Sequence, residues 1–251
     1  MNDVIETSGM VLSSAPAGDY DKRLVLLTTD LGRITVFANG ARRQGNAWQA
    51  ATQPFASGTF RLYPGRNAYT LRGAQIKEYF MPLRADLEAA AYASYFAELA
   101  SYYTRENLEA KNVLNLLYLA VEALLRPEAD KQTVRLLFEL RMFAEAGEFP
   151  DVTACAVCGK ELSGSAYFLG PGRGFACPDC GAGKDGGALL DAAVMTVLRA
   201  AVTGKLSVLF RLPVTEPVKD GLRTVARRMR RLLNEREFKS LPVLEALTDS
   251  P

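Results

Sequence analysis

Lys22-Arg23-Leu24-Val25-Leu26-Leu27-Thr28-Thr29-Asp30-Leu31-Gly32-Arg33-Ile34-Thr35-Val36-Phe37-Ala38-Asn39-Gly40 holds two strand signals around one turn. Lys22 to Thr29 is an apolar run short enough for a buried strand. Asp30-Leu31-Gly32 turns the chain back into Arg33 to Ala38, and Asn39-Gly40 is a second turn signal. On the N-terminal side, Val4 to Leu12 is another short apolar-rich run, followed by a turn at Ala17-Gly18-Asp19. Phe55 to Tyr63 and Ala68 to Tyr79 are two more strands, separated by Pro64-Gly65-Arg66-Asn67. About five or six short strands with regularly spaced turns predict a small barrel, and the five-stranded OB-fold fits this length.

After Phe80 the apolar period changes from two to between three and four. Leu87, Ala91, Tyr95, Leu99 and Tyr102 form one helical stripe; Leu108, Leu114, Leu117, Val121 and Leu124 form the next. Pro127 breaks the second helix. Asp130 can cap a third, through Val134, Leu137, Phe138, Arg141 and Met142 to Gly147. Helix resumes from Leu189 to Val202, and Thr215 can cap a last helix through Leu233. In that helix Val218, Leu222, Val225, Met229 and Leu232 form a packing stripe, with Lys219, Arg223, Arg227 and Arg230 about 100° away. The stripes read as core, with a partner groove as the alternative.

The only four cysteines fall in two pairs, Cys155-Ala156-Val157-Cys158 and Cys177-Pro178-Asp179-Cys180. Two residues between thiolates let one turn aim both sulfurs at one ion, and two such turns close a tetrahedron around Zn2+. Gly159 and Gly181 follow the pairs where a knuckle favours positive φ. Two disulfides or four free thiols are the alternatives. The chain has no histidine. A catalytic zinc keeps an open position, whereas four thiolates close this one, so the predicted metal is structural. The absence of histidine also removes the commonest general acid–base and the usual triads. Gly181-Ala182-Gly183-Lys184-Asp185 fails as a phosphate loop, because Pro178 and Asp185 stand where glycine and a hydroxyl are required.

The net charge of +2 conceals strong segregation. Between residues 22 and 77 the bases Lys22, Arg23, Arg33, Arg42, Arg43, Arg61, Arg66, Arg72 and Lys77 face one acid, Asp30. The stretch 81–150 is acidic, and 219–239 is basic again. Cations without interleaved acids suggest a polyanion, with solvated surface charge as the alternative. The aromatics among them could stack on the bases of a single strand. Trp48, in polar company, is the first stacking candidate, with a core role as the alternative. The stripe Lys219, Arg223, Arg227, Arg230 and Arg231 reads as a possible site for DNA or an acidic peptide, or as a solvated helix face. No run of about 18 apolar residues predicts a membrane span. The first residues, Met1 to Glu6, have no basic start or apolar core for export. A cytoplasmic location is expected, in keeping with reduced cysteines.

Several segments, taken together and in order, resemble the RecO family of recombination mediators. They are Glu6-Thr7-Ser8-Gly9-Met10-Val11-Leu12, Gly18-Asp19-Tyr20-Asp21-Lys22, Leu31-Gly32-Arg33-Ile34, Gln53-Pro54-Phe55, Phe138-Glu139-Leu140-Arg141 and Lys239-Ser240-Leu241. Asn39-Gly40-Ala41-Arg42-Arg43 is similar to the family's Lys-Gly-Ala-Arg loop; with Asn39 in place of lysine, Arg42 and Arg43 are its cations. The resemblance implies an OB-fold, a helical domain and a zinc-binding insert. It implies binding of single- and double-stranded DNA, strand annealing, and help in loading the RecA recombinase onto DNA coated by single-strand-binding protein. Implied partners are RecR and the acidic C-terminal tail of single-strand-binding protein, in a nucleoid-associated bacterial setting.

The predicted architecture is a multidomain α+β chain. An OB-fold β-barrel spans 1–80, an α-helical domain spans 81–150 and 188–251, and a zinc-binding module spans 151–187. The expected protein is not an enzyme. The rival readings are a zinc-ribbon scaffold that recruits proteins without touching nucleic acid, and an enzyme such as a nuclease or a nucleotidyl transferase, whose motifs are not found.

Overall fold

The computed structural model describes residues 4–233 and 238–248; Met1 to Asp3, the stretch 234–237 and the last three residues lie outside the described part. The chain divides into two compact units, Met1–Leu125 with Phe238–Pro251, and Arg126–Glu237.

In the first unit five strands close a barrel: β1 (Ile5–Ala17), β2 (Asp21–Thr28), β3 (Arg33–Ala38), β4 (Ser57–Pro64) and β5 (Tyr69–Glu78). Their order is β1-β2-β3-β5-β4, with β4 returning to β1. All pairings are antiparallel except β3–β5. This is the expected OB-like barrel. Alternation decides what fills it. Leu24, Leu26, Ile34, Val36, Phe60 and Leu62 point inward and are buried. Met10 and Leu27, opposed across β1 and β2, are buried as well but are not part of the barrel core. Strand β1 runs five residues beyond its predicted end at Leu12, because a bulge between Val11 and Ser13 lets Ser13–Ala17 keep pairing with β2. The turn at Gly32 needs glycine twice. Its φ is +66°, and a Cβ would stand 2.0 Å from the Arg105 carbonyl oxygen.

A short helix missed by the strand pattern, α1 (Trp48–Ala51), bridges β3 and β4. Helices α2 (Leu87–Tyr103) and α3 (Lys111–Leu124) follow, and α9 (Ser240–Thr248) packs on α2. Asp86 caps α2 through Ala89 N. α2 is buried over most of its girth, including Tyr92, Tyr95, Phe96 and Leu99. Leu87, expected in the stripe, is 70% exposed in the first turn. The Glu98 carboxylate accepts from Lys239 N, Ser240 N and Ser240 Oγ, and so caps α9.

The second unit is built on α4 (Lys131–Glu145), α6 (Ala192–Thr203) and α8 (Glu216–Arg230), with short α7 (Leu206–Leu209) between the last two. Asp130 caps α4, as expected, and Gly147 follows it at φ +73°. Strands β6 (Ala166–Gly170), β7 (Gly174–Ala176) and β8 (Ala188–Leu190) make a sheet in the order β7-β6-β8, and α5 (Pro178–Gly181) follows β7. Leu189 lies in β8 and is 60% exposed, rather than opening a helix. Asp191 starts α6 instead by accepting from Val194 N. The helices expected as one domain are thus divided: α2, α3 and α9 belong to the barrel's unit, while α4, α6, α7 and α8 form the other. Among the described residues no helix is long and apolar enough to cross a membrane.

Candidate metal centre and nucleic-acid interface

The four cysteine sulfurs all lie within 4.8 Å of one another. The first pair sits on a turn where Gly159 N donates to Cys155 O and Gly159 takes φ +74°. In the second, Cys180 N and Gly181 N both donate to Cys177 O. Gly181 is in α5 and does not need positive φ. It is required for space, since a Cβ there would meet the Tyr167 ring at 2.5 Å. The Sγ atoms of Cys158 and Cys177 are 3.8 Å apart. That is far beyond a disulfide bond of about 2.05 Å. It equals the edge, about 3.8 Å, of a tetrahedron whose metal–sulfur bonds are about 2.3 Å.

Chemistry agrees with geometry. Burial alone would raise the Cys155 thiol, but N–H groups of Cys158, Cys177 and Val157 outweigh it and hold the pKa at about 6. Hydrogen bonds with the Cys158 and Cys177 sulfurs, with burial behind them, push Cys180 up to about 12. Four sulfurs packed this closely cannot all be thiolates without a cation among them. The donor set therefore fits a closed, four-thiolate metal site. Arg199 ties the module to α6 by donating to the carbonyls of Val152 and Leu162.

On the barrel, the predicted cations separate into anchored and open ones. Lys22 is half-buried and donates to Thr52 Oγ1 at 3.1 Å; burial first, and Arg42 second, lower its pKa. Arg33 donates to Ser101 O and Oγ, tying β3 to the end of α2. Arg42 donates to the carbonyls of Gly18 and Asp19, which fixes the loop after β3 against the β1–β2 turn. Arg43 lies 5.0 Å from the Tyr20 ring centre and Arg72 lies 5.6 Å from that of Tyr63. Arg23, Arg42, Arg43, Arg61, Arg66 and Arg72 are exposed.

Trp48 is half-buried and packs on the barrel core. Other aromatics of residues 1–80 are exposed instead, namely Phe37 at 36%, Tyr63 at 38%, Tyr79 at 40% and Tyr20 at 54%. Strand register lines two of them up. Arg23 on β2 opposes Phe37 on β3, Phe37 opposes Thr70 on β5, and Thr70 opposes Tyr63 on β4. A row across four strands thus carries two open rings, with Arg23 at one end and Arg72 against the other. Phe37 could have been found in the sequence, because it falls between Val36 and Ala38 and must point opposite to them.

The cationic stripe of α8 is not the open face expected from its spacing. Lys219 is buried and paired with Asp130 and Glu216. Arg223 pairs with Asp220, and Arg230 with the buried Glu139. Arg227 and Arg231 are exposed and have no ion-pair partner among the described residues. Arg228, absent from the sequence expectation, donates to the carbonyls of Phe168 and Gly186.

Comparison with known proteins divides the chain just after the barrel, at a different place from the boundary between the two compact units. Residues 1–80 match the family model described as Recombination protein O N terminal, and residues 84–242 match Recombination protein O C terminal. The chain is 34% identical over 177 residues to the DNA repair protein RecO of Alkaliphilus metalliredigens, covering 70% of this chain and 72% of the relative. It is 28% identical over 243 residues to that of Acetivibrio thermocellus, covering 97% of both, and 35% identical over 176 residues to that of Desulforudis audaxviator, covering 70% of both. With both family models matched in sequence order, the chain belongs to the RecO family of DNA repair proteins.

Proposed function

We propose that this protein is a DNA repair and recombination mediator that gathers strands without covalent chemistry. The observation that carries this reading is the open row of Phe37 and Tyr63 flanked by arginines on a closed five-stranded barrel. Residues 1–80 bind single- and double-stranded DNA. Arg23, Arg42, Arg43, Arg61, Arg66 and Arg72 contact phosphates, while the rings stack on bases at about 1–3 kcal/mol each. Two strands neutralised on one cationic surface repel each other less, so complementary strands anneal. With RecR, the protein helps load RecA onto DNA coated by single-strand-binding protein, whose acidic tail is a second partner. The setting is the bacterial cytoplasm, at the nucleoid.

Cys155, Cys158, Cys177 and Cys180 hold one structural Zn2+ in the module 151–187. The metal supplies folding energy to a segment too small for its own core. Its four thiolates leave no open position for a reacting water.

The test is annealing of complementary oligonucleotides, bare and coated with single-strand-binding protein, without ATP. Both should anneal, and affinity for single strands should fall steeply with salt, by about 0.7 in logarithmic slope per phosphate contact. Affinity that stays flat with salt would refute the electrostatic part. No binding at low ionic strength would favour a protein-recruiting zinc ribbon instead.

A further inference from the structure

The geometry points to a pocket in the second unit that binds the terminal phosphate of a nucleic-acid strand. The pocket lies between the β6–β7 loop and the end of α8, has a volume of about 540 Å3, and is lined by Arg173, Arg228 and Arg231. No carboxylate occurs among its described lining residues. It goes beyond the barrel reading and does not depend on it.

Two of the arginines are held in place. Arg173 donates to the carbonyls of Leu169 and Asp185, and Arg228 to those of Phe168 and Gly186. The guanidinium groups are therefore tied to neighbouring carbonyls on the same two segments. Carbonyl dipoles orient a guanidinium but do not cancel its charge. Two fixed cations and the exposed Arg231 thus line one pocket with no carboxylate among its described lining residues, and each fixed guanidinium keeps N–H groups to donate. A planar, pre-positioned fork of this kind suits phosphate oxygens.

The walls explain why a strand end suits the pocket. Gly170, Gly172 and Gly186 line it, and a Cβ on Gly170 or Gly172 would stand in open space. Bare backbone there lets a ligand approach closely. Leu169, Pro171 and Leu232 add an apolar side for a sugar or base. Three guanidinium groups match a phosphomonoester, with a charge of about −1.5 to −2 at neutral pH, better than a singly charged diester. A diester would also have to pass chain in and out of a concavity.

Arginine side-chain NMR on the full chain tests this, because the Nε–Hε signals of Arg173 and Arg228 report the pocket whatever the barrel binds. A short 5′-phosphorylated oligonucleotide should move both signals saturably. Its 5′-hydroxyl counterpart should bind there about tenfold more weakly, as for loss of one charge-assisted contact. Arg231→Gln should weaken the phosphorylated ligand by a similar factor and Arg231→Lys should restore part of it, with the Gly170 to Gly174 amide signals unchanged. Equal response to the 5′-hydroxyl strand would overturn the proposal in favour of ordinary backbone contact. Tighter binding of a nucleoside 5′-monophosphate would overturn it in favour of a free nucleotide, and response only to an acidic peptide would overturn it in favour of a protein partner. No response to any ligand would also reject it, and the wild-type comparison stands even if the variants fold poorly.

Discussion

Arg230 on α8 donates to the Glu139 carboxylate on α4 at 2.6 Å, and the Glu139 side chain has no solvent exposure. Arg135, one turn before Glu139, binds its other oxygen at 2.9 Å. A buried carboxylate with two guanidinium partners joins α4 to α8, so Arg230 holds the second unit together before it can serve any ligand. Arg230→Ala should destabilise the protein by about 3 kcal/mol, the low end for breaking a buried pair because Arg135 remains. Denaturant unfolding measures this. An unchanged midpoint would mean the pair contributes nothing.

Asp130 and Lys219 make a second link between α4 and α8. Burial alone would raise the Asp130 carboxyl, but the bond to Lys219, with Thr133, holds it below its ordinary 3.8. Burial alone would lower Lys219, but Asp130 and Glu216 hold it above its ordinary 10.5. The depressed carboxyl contributes stability that is full above pH 3.8 and lost as pH falls through its lower folded value. The raised lysine contributes stability that is full below 10.5 and lost as pH rises through its higher folded value. The gap in melting temperature between wild type and Asp130→Asn should therefore be widest near neutrality and close below about pH 4. A gap independent of pH would remove this pair as its cause.

Metal analysis of the intact protein should find one zinc per chain. Apparent zinc-binding free energies of about 10–16 kcal/mol in small modules rival the whole stability of a domain, about 5–15 kcal/mol. Cys155→Ser, or a strong chelator, should therefore abolish hydrogen-exchange protection over 151–187. Protection that survives metal removal would show that the thiols pack without it.

Phe37→Ala and Tyr63→Ala should each weaken single-strand binding by about 1–3 kcal/mol with little loss of stability. Trp48→Ala should do the reverse, lowering the unfolding midpoint because Trp48 packs on the barrel core. Arg66→Ala, at an exposed cation, should reduce affinity evenly across sequences and lower the salt slope by about 0.7. A reversal between Trp48 and the two rings in a titration with fluorescent oligonucleotides would move the stacking surface to α1.

Some of this was readable because the responsible contacts are local. Asp130 caps α4 and Gly147 closes it through bonds within a turn of the chain. The two cysteine pairs each need only one tight turn. Other features escaped because local signals compete. Leu189 continued an apolar run, but Asp191 began the helix two residues later by accepting Val194 N. Gly181 looked like a knuckle glycine, yet its constraint is the Tyr167 ring, fourteen positions earlier in the chain. Trp48 stood out by its polar neighbours, while the rings that stay open are set by strand alternation and register.

Taken alone, the order of residues specifies the five-stranded barrel, the long helices and the four-sulfur cluster, but not short α1 or the sheet β6–β8. Alternation, helical period and paired cysteines each act over a few residues and repeat until they are unambiguous. Which cations stay open depends on how the helices pack in three dimensions. Lys219, Arg223 and Arg230 sit at the same helical spacing as Arg227, but Asp130 and Glu139 arrive from α4 and its cap to neutralise two of them. Coulomb attraction depends on distance in space, and the partners that set it lie more than eighty residues away along the chain.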